Sequence, residues 1–232
     1  MPTYRISAPK KRTKRGRQSS SRRRYRSPAP SRIRPIPISL RPHTFCERLS
    51  SDIITVRSEG TANGLFKSFN LDQVSQAPYY KALFEYYTIN KVVVEFRYKG
   101  VGLQEKVGMG NNQALANEVN PIIYFKVDHN DISTDSLVLM KQSMKTHEKQ
   151  LTNNGPNFTI QLKPAVQAEA YKSSIATTYI PKWGQQLSTD DGTVPHYGLK
   201  CYAVANTGTS SNNDHGQIEV TYKMYFTMKN NE

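Results

Sequence analysis

An all-β fold, two antiparallel sheets packed face to face, is predicted by three features of this chain. Apolar and polar residues alternate with period two in several segments, turn-forming residues interrupt them, and only two short stretches read as helix. The alternation starts after a basic, proline-containing leader. The prediction is therefore one sandwich domain over residues 43–232, preceded by a disordered arm over residues 1–42. At 232 residues no second folded domain is required, because an all-β unit commonly takes about 200 residues.

The strongest strand is 217–229, where Ile218, Val220, Tyr222, Met224, Phe226 and Met228 alternate with mostly polar neighbours. That pattern means one face packed and one solvated. In 89–99, Val92, Val94, Phe96 and Tyr98 share a face opposite Lys91, Val93, Glu95, Arg97 and Lys99. Shorter strands are expected at 52–58, 121–127, 158–163 and 196–205. In the last, Tyr197, Leu199, Cys201, Ala203 and Ala205 share a face. Segment 144–151 would add an edge strand, and 78–87 and 134–141 would form short helices. Turn-rich runs at 59–64, 99–102, 152–157, 188–193 and 206–216 are long for plain hairpins, as in a jelly roll whose strands cross between sheets.

Charge is divided sharply along the chain. Residues 1–42 hold 14 Lys and Arg, and the first acidic residue is Glu47. Subtracting those 14 from 32 leaves 18 basic residues, equal to the 18 Asp and Glu, so the whole formal charge of +14 belongs to the arm. Arg5, Lys10, Lys11, Arg12, Lys14, Arg15, Arg17, Arg22, Arg23, Arg24 and Arg26 are the candidate nucleic-acid contacts, with Arg32, Arg34 and Arg41 following. Clustered cations neutralise phosphates and release counterions, which gives tight, salt-sensitive and sequence-indifferent binding. Tyr4 and Tyr25 could stack on unpaired bases. The cluster Lys10, Lys11, Arg12, Lys14, Arg15 and Arg17 also reads as a nuclear-import signal. Prolines at 28, 30, 35, 37 and 42 make the remainder of the arm an extended spacer.

The same reading excludes other classes. His43, His129, His147, His196 and His215 are scattered, and neither they nor the cysteines have metal-ligand spacing. GxSxG, the Walker phosphate loop and a dinucleotide fingerprint are missing, so no catalytic residue, metal or cofactor is expected. Asp190 and Asp191 before Gly192 read as turn chemistry. No apolar run approaches the roughly 18 residues of a membrane span, so membrane insertion is not expected. Cys46 and Cys201 are expected to be buried free thiols.

The run FEYYTINKVVVEFRY at 84–98 resembles a marked stretch of circovirus capsid proteins. The order of basic arm, Pro-containing link, β-rich body and long alternating strand near the C-terminus is similar to that family too. The resemblance implies a viral jelly roll that assembles with its own copies into an icosahedral shell of 60 subunits around circular single-stranded DNA. It further implies a host nuclear import receptor and a host cell-surface receptor as partners, and residence in the virion and, during assembly, the nucleus. Sixty arms would carry on the order of 800 charges, a large share of what a genome of roughly one to two thousand phosphates needs. A neutral body suits subunits packed edge to edge. The competing reading is a non-capsid nucleic-acid-binding protein with a basic tail, although such proteins usually carry positive charge on the folded face as well.

Overall fold

The computed structural model describes residues 41–100, 120–130, 135–152, 157–172, 177–205 and 216–230. Among these, eleven strands run in chain order: β1 (His43–Thr55), β2 (Gly64–Phe69), β3 (Tyr86–Gly100), β4 (Ile122–Val127), β5 (His147–Gln150), β6 (Phe158–Leu162), β7 (Ala165–Lys172), β8 (Thr177–Trp183), β9 (Leu187–Ser188), β10 (His196–Val204) and β11 (Gln217–Lys229). Two short helices, α1 (Ala77–Leu83) and α2 (Leu137–Gln142), lie between strands. The expectations for the first 40 residues, and for most or part of the turn-rich runs at 99–102, 152–157 and 206–216, fall outside the described residues.

The strands form two sheets. One has the order β1-β11-β3-β6, with β9 beside β3; the other has β5-β4-β10-β7-β8, with β2 beside β10. Strands β1, β3, β6 and β11 belong to the first sheet and β2, β4 and β10 to the second, so the chain repeatedly crosses between layers. The first strand pairs with the last, and β2 pairs with the penultimate β10. This wrapping is the jelly roll.

Strand β11 has the bounds its alternation predicts. All six of its predicted inward residues are fully buried, as are Val92, Val94 and Phe96 on the neighbouring β3. The second sheet supplies Ile123, Leu199, Cys201 and Ala203 to the same core. Each large apolar side chain buried this way contributes about 1.5–3 kcal/mol relative to exposure. At one end Phe45, Tyr80, Phe84 and Phe226 form an aromatic cluster with ring centroids 4.8–5.8 Å apart.

Some expectations need correction. The first strand begins at His43 rather than 52, since β11 pairs with it throughout, apart from an irregularity between Leu49 and Asp52. The expected helix at 78–87 stops at Leu83, and Phe84 is extended. Tyr86 and Tyr87 instead begin β3, where β11 and β9 take their place in the ladder. Strand β10 has both faces buried, not one. Leu199, Cys201 and Ala203 face the main core, while Tyr202 and Val204 pack with Leu137 and Met140 of α2 on the other side. Ser136 caps that helix, its Oγ accepting from the Leu139 N–H at 3.2 Å. Cys201 is buried and free as expected, and burial pushes its thiol up to about 12. Cys46 is free but exposed, because it sits on the solvent side of β1 opposite Tyr225.

Candidate assembly surface

None of the arm residues Arg5, Lys10, Lys11, Arg12, Lys14, Arg15, Arg17, Arg22, Arg23, Arg24 or Arg26 lies among the described residues. The described body begins at Arg41, which is exposed and two positions before β1. Among the described residues no group of three or more His, Cys, Asp or Glu is placed to hold a metal. His147 is exposed on β5, its ring 5.4 Å from that of Phe125, while His196 is buried in β10. Thr189–Asp191 form a single 3-10 turn, with Ser188 Oγ accepting from the Asp190 N–H at 3.3 Å, so the paired aspartates are turn residues as expected.

The body instead offers apolar surface. Tyr79 and Leu83 project from α1, Val138 and Leu139 from α2, and Tyr179, Ile180 and Trp183 from β8, each 43–72% exposed. Their positions follow from local structure. Leu83 lies one helical turn beyond Tyr79, so both share the face opposite buried Ala77 and Tyr80. Strand β8 is the outer member of the β7–β8 pair and, among the described residues, has a strand partner only on the β7 side. Pro181 lies mid-strand, which is tolerated at an edge because proline cannot supply a central ladder bond. Scattered apolar residues are ordinary on a surface, but each of these three elements exposes at least two large apolar side chains of the kind that protein partners cover.

Trp183 and Pro181 also wall a cleft of about 500 Å³ with Lys126, Asp128, His129 and Met144. His129 stands edge-on to Trp183, with ring centroids 5.2 Å apart at 84°. Its Nε2 lies 3.3 Å from Trp183 Nε1 and 3.0 Å from the Lys163 carbonyl oxygen. One tautomer accepts from the indole and the other donates to the carbonyl, so a single nitrogen serves only one at a time.

Beneath this cleft is an ion cluster that sequence reasoning missed. Lys200 of β10 stands directly opposite Lys126 of β4. Side-chain exposure is only 2% for Lys200, whose Nζ is 3.2 Å from Asp128 Oδ2 and 3.7 Å from Asp135 Oδ1. Lys126 pairs with the same two carboxylates. Burial alone would raise Asp128, yet the Asn130 N–H, the Lys200 hydrogen bond and both lysine charges hold it below its ordinary value. Two cations and two anions balance, and Asp128 is thereby placed in a structural network.

Among solved structures, the 60-mer BFDV capsid protein is similar with a TM-score of 0.53 at 13% identity, covering 83% of this chain and 95% of that one. The decameric BFDV capsid protein gives 0.46 at 17% identity, covering 82% and 99%. The first likeness supports the jelly-roll fold reached from the strand order. No curated protein matches the sequence. The profile of circovirus capsid proteins matches residues 9–232, nearly the whole sequence. With a jelly roll, apolar surface on an edge strand and two helices, and this match, the chain belongs to the circovirus capsid protein family.

Proposed function

We propose that this capsid protein assembles into an icosahedral shell of 60 copies and packages circular single-stranded DNA through residues 1–42, with 43–232 as the shell-forming domain. The observation that carries the reading is the charge division: 14 cations before the first carboxylate, and 18 of each sign after residue 42. Such an arm repels itself and is neutralised by a polyanion. The apolar residues on β8, α1 and α2 support self-association, and the 60-mer formed by the similar BFDV capsid protein supports the copy number.

Lys10, Lys11, Arg12, Lys14, Arg15 and Arg17 would also serve a nuclear import receptor, since clustered cations suit both uses. Assembly would then take place in the nucleus, and the finished virion would meet a host surface receptor through its outward loops. The purified chain should form uniform particles in negative-stain electron microscopy. Removing residues 1–42 should abolish nuclear accumulation and most affinity for single-stranded DNA while leaving the body folded. A chain that stays monomeric across protein concentration and salt, or a truncation with undiminished DNA affinity, refutes the proposal.

A further inference from the structure

The body's formal charge sums to zero, but its distribution over the surface is uneven. In the β1-β11-β3-β6 sheet the even-numbered residues of β11 point into the core, so the odd-numbered ones face solvent. On that outer face Arg48 of β1 is directly opposite Lys223 of β11, and Lys223 is in turn opposite Val93 of β3. The adjacent rung reads Cys46, Tyr225, Lys91, with Lys91 Nζ 4.6 Å from the centre of the Tyr225 ring. Arg97 lies further along β3.

The face has two carboxylates, and both are occupied. Glu219 pairs with Lys99 at 3.2 Å, and Glu95 accepts a hydrogen bond from Asn157 at 2.5 Å. Among the described residues, Arg48, Lys91, Arg97 and Lys223 have no carboxylate within ion-pair distance. Like charges directly opposite each other across two strands destabilise a sheet. Arg48 and Lys223 are such a pair, and with Lys91 beside the Tyr225 ring they form a patch complementary to a polyanion, whereas Arg97 stands opposite Glu219 and lies outside it.

We infer that this sheet face is a second contact for single-stranded nucleic acid, in which Arg48, Lys91 and Lys223 bind phosphates and Tyr225 offers a ring beside them. The inference rests on the packaging proposal above and extends it from the arm to the folded body. The connection between them is covalent. Arg41, the last cation of the arm, precedes β1 by two residues, so a strand held by the arm is tethered at the edge of this same sheet. Tethering raises the effective concentration of the polyanion at the face, so a few modest contacts there add to the arm's own. The face is a positioning surface for backbone phosphates and carries no base-specific readout.

The test uses the full chain with an oligothymidylate of about 30 nucleotides, by fluorescence anisotropy across a salt series. Replacing Arg48, Lys91 and Lys223 together by glutamine should make the log–log salt slope shallower by about 2, from three phosphate contacts at about 0.7 each. A second measurement needs no variant. In the wild-type chain, bound DNA should protect Lys91 and Lys223 from acetylation while leaving the exposed Lys172 and Lys182 of the β7–β8 pair reactive. An unchanged slope together with unprotected Lys91 and Lys223, in a wild-type chain that binds DNA, overturns the inference and leaves the arm proposal standing. An unchanged DNA slope with lost binding to dextran sulfate overturns it in favour of an anionic polysaccharide. Failure of the wild-type chain to bind DNA at low salt overturns the packaging proposal and this inference with it.

Discussion

Asp128→Asn is the substitution for which the ion cluster beneath the cleft makes the sharpest demand. The change keeps the shape of the side chain and removes the carboxylate closest to Lys200, 3.2 Å away. Lys200 then competes with Lys126, directly across the strand, for Asp135, which lies 3.7 Å from its own Nζ. Taking away one partner of a buried ion pair costs about 3–5 kcal/mol. Asp128 retains 19% side-chain exposure, so water screens part of the loss and the lower end, about 3 kcal/mol, applies. With a urea dependence of roughly 2 kcal/mol per molar, the unfolding midpoint of the unassembled subunit should fall by about 1.5 M, followed by far-UV circular dichroism. Lys200→Met added to Asp128→Asn should recover most of that loss, because the surviving Lys126 and Asp135 again balance and the methionine fits a buried strand position. The Asp128 carboxyl is held below its ordinary value in the folded chain, so its stabilisation is complete above that value and is lost as pH falls through the depressed one. The gap between wild type and Asp128→Asn should therefore close in strong acid. Additive losses in the double variant, or a gap that does not change with pH, would refute the assignment of this cluster as a coupled network.

Two further outcomes follow from buried polar groups. Tyr222 is fully buried, and its hydroxyl donates to Asp52 Oδ2 at 2.8 Å, an oxygen that also accepts from Lys67 at 2.8 Å. Tyr222→Phe should destabilise the subunit by about 1.5–2 kcal/mol in urea unfolding, the range for a hydrogen bond to a charged group; no measurable change would show that Lys67 alone satisfies Asp52. His196 is 2% exposed, and burial lowers its pKa despite the backbone carbonyls of Val194 and Phe69, which favour the charged ring. The unfolded chain therefore takes up that proton first, so stability should be level above about pH 6.5 and decline as pH falls below it, a decline that His196→Gln should lessen. An identical pH profile in the variant would count against His196 as a source.

Legibility differed from strand to strand for physical reasons. Strands β3 and β11 border a core on one face and solvent on the other, so their sequences record both environments by alternation. Strand β10 is covered on both sides, which leaves no polar register in HYGLKCYAV except Lys200, and that lysine reads as a solvent position. Its partners Asp128 and Asp135 come from the far end of β4 and from the segment before α2, a proximity that only the folded topology creates. Strands β2, β7, β8 and the two-residue β9 leave no clear strand pattern in the sequence. GLFKSF is short and not alternating, AVQAEAYK has the alanine content of a helix, and TTYIPKW contains a proline. Each is held by its neighbour in the sheet, which overrides local preference. The exposed apolar residues of β8 are illegible for the same reason, since a segment without a strand pattern has no predictable outer side.

The pairing of β1 with β11 also sets an order of events during synthesis. The hydroxyls of Thr44 and Thr227 meet at 3.2 Å although 183 positions separate them along the chain. Contacts so distant in sequence form slowly, after long loops have closed. Until residue 229 has left the ribosome, β1 has no ladder to join and the central strand of its sheet does not exist. The basic residues before β1 are synthesised ahead of the strands that complete this sheet. If that segment is read as a linear peptide, as proposed above, it can already be met on an unfinished chain, before this sheet has closed.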